Sequence, residues 1–328
     1  MDNNENKFIT MALESEQAGN KTEAINFYLK ALEFGPEDLS IWYKLGLIHH
    51  EMNDFNKALE CYDKVLVSAP EFVDAILSSA NANYSLGNIE LAIELYEQAL
   101  ILKPDYSDLY YVLGTVYFDK QNIEKSIECY KKCLALNPVN LPAAQNLGSM
   151  YMAGGEIEEA VKIMEPLAEL HSDFPALSYN LAIIFHNSKN YEKAIEYYKK
   201  AFKAAPEMED ALFNLGLCYI EDGNFTQAMM SMRKLIKMVP DSANAHYHLG
   251  RVYAHEDLYD QAHEQFEKAL ELDSNFYLAN FSLGELFFNK KRYDKAAAEF
   301  NKCKNNINND EVNEKIDTYL KTILAQNN

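Results

Sequence analysis

Small and large apolar residues return along this chain on a fixed interval of 34 positions. The small residue is Ala24, Ala58, Ala92, Ser126, Ala160, Ala194, Ala228, Ala262 or Ala296. Four places later stands a large one: Tyr28, Tyr62, Tyr96, Tyr130, Met164, Tyr198, Met232, Phe266 or Phe300. Three places further comes another small or apolar residue, among them Ala31, Ala99, Cys133, Ala201, Ala269 and Cys303. Spacing of four and then three is one face of an α-helix.

A second helical segment precedes each of these. It carries Leu-Gly at Leu45-Gly46, Leu113-Gly114, Leu147-Gly148, Leu215-Gly216, Leu249-Gly250 and Leu283-Gly284, followed by His49, Tyr117, Tyr151, Tyr219, Tyr253 or Phe287. Glycine inside a helix costs about 1 kcal/mol relative to alanine, so its recurrence predicts a close approach that leaves no room for a Cβ. Gly19-Asn20, Asn53-Asp54, Gly87-Asn88, Gln121-Asn122, Gly155 and Gly223-Asn224 mark turns between the two helices. Pro36, Pro70, Pro104, Pro138, Pro206 and Pro240 close the units, because proline lacks an N–H and restricts the residue before it. Each unit reads as helix–turn–helix.

Trp42, Leu45, Gly46, His49, Ala58, Tyr62 and Pro70, and again Tyr110, Leu113, Gly114, Tyr117, Ser126, Tyr130 and Pro138, resemble the tetratricopeptide-repeat pattern. The resemblance implies an all-α fold, a right-handed superhelical solenoid. Nine tandem units span 5–38, 39–72, 73–106, 107–140, 141–174, 175–208, 209–242, 243–276 and 277–310. Unit one matches least well, with Phe8, Met11 and Ala12 in place of the signature and Lys21 where later units are apolar, which suits a solvated end. Pro166 falls inside a second helix and predicts a kink or early end there.

After a polar segment, Asn305–Asp310, residues 311–328 read as a capping helix and tail. Val312, Ile316, Tyr319, Leu320, Ile323 and Leu324 form its inner stripe. A terminal repeat needs such a cover for its stacking face.

Composition agrees with a folded chain: 48% hydrophobic and 24% charged. The 30 Lys+Arg against 50 Asp+Glu give a net charge of −20, which repels phosphate backbones and anionic lipids. Nucleic acid and membrane are therefore poor partners. The amino terminus has no basic segment leading into an apolar one, and no stretch is apolar enough to span a bilayer, so a cytoplasmic location is expected. Cys61, Cys129, Cys133, Cys218 and Cys303 form no CxxC pair and read as buried free thiols. Cys129 and Cys133 share a helix face but have no third ligand nearby, so no metal and no other cofactor is expected.

The resemblance further implies that first helices line a concave groove, through the second, fifth, sixth, ninth, twelfth and thirteenth places of each unit. Signature residues carry packing instead. At the sixth place Asn146, Asn180 and Asn214 follow one another; the row is similar to the asparagine ladder of O-GlcNAc transferases, and amides at that spacing suit the backbone of an extended peptide, while a solvated polar face is the alternative. Fifth-place aromatics include Tyr43, Tyr111, Tyr179, Phe213, Tyr247 and Phe281, which serve either as contact surface or as packing between helices. His248, Arg251 and His255 share one helix face and suit a carboxylate or phosphate below about pH 6.5, unless they pair with Glu221 and Glu285. Against Lys44 and Arg251 the groove places hold Glu16, Glu51, Asp74, Asp108, Asp119, Asp210, Glu221 and Glu285, so a partner with basic residues is expected.

These features predict a non-enzymatic scaffold that binds a partner protein or extended peptide in the groove. The alternatives are a self-assembling homo-oligomer, or a recruiting subunit of an enzyme encoded elsewhere, such as a glycosyltransferase. No P-loop, GxSxG elbow or HExxH occurs, and no second domain follows to carry chemistry. Nor does any triplet of units supply the two lysines and arginine of a chaperone-tail clamp.

Overall fold

The computed structural model describes residues 2–304 and 306–326; Asn305 of the expected polar segment and the last two residues of the tail lie outside them. The described residues are helices joined by short turns, with no strand among them. Two compact units are formed, Met1–Met150 and Tyr151–Asn328. In the first, α1 (Asp2–Gln17) packs on α2 (Lys21–Leu32), α3 (Leu39–Glu51) on α4 (Phe55–Ser68), α5 (Val73–Ser85) on α6 (Ile89–Leu102) and α7 (Ser107–Asp119) on α8 (Ile123–Leu136). α9 (Leu141–Gly154) carries the division. In the second, α10 (Ile157–Leu170) precedes the pairs α11 (Pro175–Asn187) with α12 (Tyr191–Ala204), α13 (Glu209–Glu221) with α14 (Phe225–Met238), α15 (Ala243–His255) with α16 (Tyr259–Leu272) and α17 (Tyr277–Asn289) with α18 (Tyr293–Cys303). α19 (Asp310–Gln326) ends the chain and packs on α18.

One turn geometry serves every hairpin. Gly19, Asn53, Gly87, Gln121, Gly155, Lys189, Gly223, Asp257 and Lys291 stand 34 apart and all have φ between 58° and 81°. This left-handed conformation ends the first helix: the amide of the next residue reaches back to a carbonyl five places earlier, as Asn122 N does to Tyr117 O at 2.9 Å. That next residue then caps the second helix. Side chains of Asp54, Asn122, Asn190 and Asn224 accept from the amides of Lys57, Lys125, Lys193 and Gln227.

The small residues from Ala24 to Ala296 are all fully buried. Gly46, Gly114, Gly216, Gly250 and Gly284 each face the large residue sixteen places on in the same hairpin. A Cβ on Gly46 would lie 2.3 Å from the Tyr62 ring, on Gly284 2.5 Å from Phe300, and on Gly216 2.5 Å from Met232. The close approach expected from the Leu-Gly pairs is thus backbone against side chain.

Two details depart from expectation. α10 runs through Pro166 to Leu170, as far along its unit as the other second helices reach, so the proline does not end it early. In α19 Ile316 and Ile323 are buried as expected, but Leu324 is 65% exposed. Ile323 already fills the inward position, and its neighbour 100° round the helix points out.

Gln121→Gly relieves a left-handed non-glycine residue and is expected to stabilise the chain by about 0.5–1 kcal/mol, net of the greater freedom of unfolded glycine. Gly284→Ala is expected to cost about 1–3 kcal/mol by crowding Phe300. Denaturant melts of both variants check the pair; a neutral Gly284→Ala refutes the steric account of the glycines.

Candidate functional site

First helices of successive hairpins touch one another: α3 meets α5, α13 meets α15 and α15 meets α17. Their shared face holds the candidate groove residues, and much of that face is engaged in packing. Tyr43, Tyr111, Tyr179, Tyr247 and Phe281 each set a ring 6.0 Å from the large aromatic of their own second helix, namely Tyr62, Tyr130, Tyr198, Phe266 and Phe300. Tyr247 is buried, while Tyr111, Tyr179 and Phe213 are half-buried. Phe213 has Met232 in place of a ring partner, and it meets the edge of His248 at 5.5 Å.

Two rows of bridges join one first helix to the next. From fifth place to the following sixth, the Tyr43 hydroxyl lies 3.3 Å from Ser78 Oγ, and Asn214 Nδ2 donates to the Tyr179 hydroxyl at 2.9 Å. From twelfth place to the following thirteenth, Tyr84 donates to Asp119, and His186 Nε2 lies 3.1 Å from Glu221 Oε2. A spacing of 35, one repeat plus one, could have exposed these pairs in the sequence, but the second row was not anticipated.

The three asparagines stay half-buried and are not sealed into the core. Asn146 lies in the first unit and donates Nδ2 to the Tyr130 hydroxyl at 3.1 Å; Asn180 and Asn214 lie in the second. An amide proton of Asn146 and of Asn214 is therefore already engaged within the protein.

The histidine–arginine face differs from expectation. His248 sits against Phe213 and Tyr247, its Nδ1 sealed and without a partner. Burial, and then the nearby Arg251 charge, push its pKa down to about 4, so it does not charge near pH 6.5. His255 stacks on Phe225 at 3.6 Å and Arg251 leans over the Tyr247 ring at 5.9 Å. Of the expected acid partners, Glu221 meets His186, and Glu285 accepts from the Tyr319 hydroxyl of α19 at 3.1 Å while the Arg251 charge also acts on it. Burial raises the Glu285 carboxyl above the usual range.

One feature was missed. In the first unit Leu39, Tyr43, Leu47, Pro70 and Phe72 line an open, chiefly apolar concavity of about 780 Å³, with Lys44 and Glu71 on its walls. Leucine at a ninth place was the available signal, although that place is polar in some units, as at Asn81, Thr115, Arg251 and Glu285, and apolar in others, as at Leu13, Ile183 and Leu217. Elsewhere, the cysteines are all free and buried, and burial lifts the Cys129 and Cys133 thiols to about 11, which keeps them protonated. No helix among the described residues is long and apolar enough to cross a membrane.

Tetratricopeptide-repeat models match residues 40–72, 107–140, 146–209 and 254–305, and a further TPR-repeat model matches 80–121. The chain belongs to the tetratricopeptide-repeat family. A model of anaphase-promoting complex, cyclosome, subunit 3 matches residues 187–269 of this repeat array. No curated protein matches the sequence. Among solved structures, the MamA protein is similar at 27% identity over 52% of this chain and 93% of its own, with a TM-score of 0.48. A tetratricopeptide repeat protein from Parabacteroides merdae is similar at 17% identity over 84% and 96%, with a TM-score of 0.45. The APC/C hetero-tetramer Cut9-Hcn1 is similar at 18% over 79% and 51%, with a TM-score of 0.45.

His248 in this repeat array supplies a pH test. Its lowered pKa means that the unfolded chain binds a proton below about pH 6.5 that the folded chain refuses until about pH 4. Stability therefore falls as pH drops through that window, and His248→Phe is expected to flatten the decline. Nuclear magnetic resonance titration of the His248 ring checks the assignment; a midpoint near 6.5 refutes it.

Proposed function

We propose that this chain is a non-enzymatic scaffold that binds a segment of a partner protein on the exposed face of its first helices. The carrying observation is that this face keeps apolar side chains in solvent: Leu13 at 36%, Leu47 at 37% and Phe118 at 49% exposure. Leucine and phenylalanine at groove-facing places close no core of their own, and exposed apolar residues on one face suit an interaction surface. Exposed aspartates stand on the same face, Asp74 and Asp108 in the first unit and Asp210 in the second. With a net charge of −20 they favour a partner segment carrying lysine or arginine. The match of residues 187–269 to a subunit model of a multiprotein complex supports an assembly role.

Asn214 gives Nδ2 to one bond, to the Tyr179 hydroxyl, and an amide carries two donors, so a peptide backbone in the second unit remains part of the proposal. A partner captured from a native extract in about 50 mM salt and cross-linked is expected to join first-helix residues, and to release as salt rises toward about 0.5 M. Cross-links confined to second helices refute the assignment of this face.

A further inference from the structure

The second hairpin breaks a rule that the other tyrosine hairpins keep. Where tyrosine is the large residue of the second helix, its hydroxyl reaches the ninth or twelfth place of its own first helix. Tyr28 donates to Glu16 and Tyr96 to Asn81, the Tyr130 hydroxyl lies 3.2 Å from Thr115 Oγ1, and that of Tyr198 lies 3.2 Å from His186 Nδ1. In the second hairpin these places hold Leu47 and His50, and His50 turns its ring to Phe55 at 5.1 Å. The Tyr62 hydroxyl is sealed from solvent and finds no partner in its own hairpin; its neighbour Ser78, on the next first helix, is shared with Tyr43. A polar residue at position 47 would give that hydroxyl a partner within its own hairpin, as Asn81 gives Tyr96. The chain instead places leucine there, in solvent, on the wall of the 780 Å³ concavity.

We propose that this concavity, formed by Leu39, Tyr43, Leu47, Pro70 and Phe72, is a docking pocket for a bulky apolar side chain of a partner segment with a lysine or arginine beside it. The claim rests on the first-helix face being the binding surface, and adds the chemistry of the occupant. Its volume falls within the range of pockets that enclose a small ligand or an anchoring side chain, and its floor is two aromatic rings, Tyr43 and Phe72, 5.2 Å apart edge to face. Charge complementarity selects the flanking residue. Glu71 on the wall and Asp74 beside Phe72 are both exposed, and Lys44 is the single cation on the lining. A basic group thus sits on the acidic side, and Lys44 lends its methylene stem to the opposite wall.

The test uses the full chain and a library of random dodecapeptides displayed between constant flanks, which offers no free terminus. Selected peptides are expected to carry an aromatic or large aliphatic residue next to lysine or arginine. Leu47→Asn separates function from folding, since asparagine offers the Tyr62 hydroxyl the partner that Asn81 gives Tyr96. It is expected to raise the melting temperature while weakening the selected peptides at least ten-fold. Asp74→Lys is expected to weaken them several-fold and Lys44→Glu to tighten them.

Peptides indifferent to Leu47→Asn, or an apolar–acidic consensus strengthened by Asp74→Lys, overturn the pocket. If such peptides respond instead to Phe118→Ala or Asp108→Lys, the first-helix face survives and only the pocket falls. If they respond to no first-helix substitution, both fall.

Discussion

Five hairpins are closed by one kind of contact: the large residue of the second helix pressed against the backbone of a first-helix glycine. At Gly46, Gly114, Gly250 and Gly284 the ring takes the space a Cβ would need, with separations of 2.3 to 2.8 Å from that absent atom. This contact sets how near the two helices come, and the left-handed residue at each turn sets where the second one starts. Alanine replaces the glycine at Ala80 and Ala182, opposite Tyr96 and Tyr198, and these rings remain buried, so a Cβ is accommodated where the neighbouring geometry yields. Because the same contact recurs in hairpin after hairpin, stability is a sum of similar local terms and nearest-neighbour interfaces.

That additivity shapes the candidate binding face. Hairpins must be tied to their neighbours, and the ties run through residues that face the groove: Tyr43 to Ser78, Tyr84 to Asp119, Tyr179 to Asn214, His186 to Glu221. Ties also run along the second helices, where Lys193 meets Glu165 at 2.8 Å and Tyr197 donates to Glu169 at 2.8 Å. The lining therefore has structural duties, contrary to the expectation of a surface free for ligand. The groove-place residues whose side chains make none of these ties are apolar and acidic, Leu13, Leu47, Phe118, Asp74 and Asp108, although the Asp74 carbonyl accepts from the Tyr43 hydroxyl at 3.5 Å.

The fold was legible because its signals are periodic. Small residues, aromatics, turn residues and prolines repeat every 34 positions, and a period sampled nine times outweighs any single anomaly such as Pro166, whose helix continues to Leu170 because packing on its neighbour holds it. The lining was less legible because its partners lie 35 residues apart, in a different repeat, and a register read within one unit does not reveal them. His248 shows the limit most directly. Its place on a polar-looking face with Arg251 and His255 suggested a cationic site, yet rings from two hairpins, Phe213 and Tyr247, bury it and keep it neutral. Sequence spacing gave the face; burial by a neighbouring repeat decided the chemistry.

In a repeat protein the average unit encodes the fold, so information about partners has to lie in departures from the average. Most departures here have a compensating contact: Ser126 donates to the Gly114 carbonyl at 2.8 Å, and the aromatic Tyr319 of α19 stacks on Phe300 at 4.9 Å where a further repeat would lie. Leu47 has none. It leaves the Tyr62 hydroxyl without a partner in its own hairpin, beside a Ser78 hydroxyl shared with Tyr43. A residue that departs from the pattern of its own hairpin and stands exposed beside two aromatic rings is the departure on which the proposed docking pocket rests.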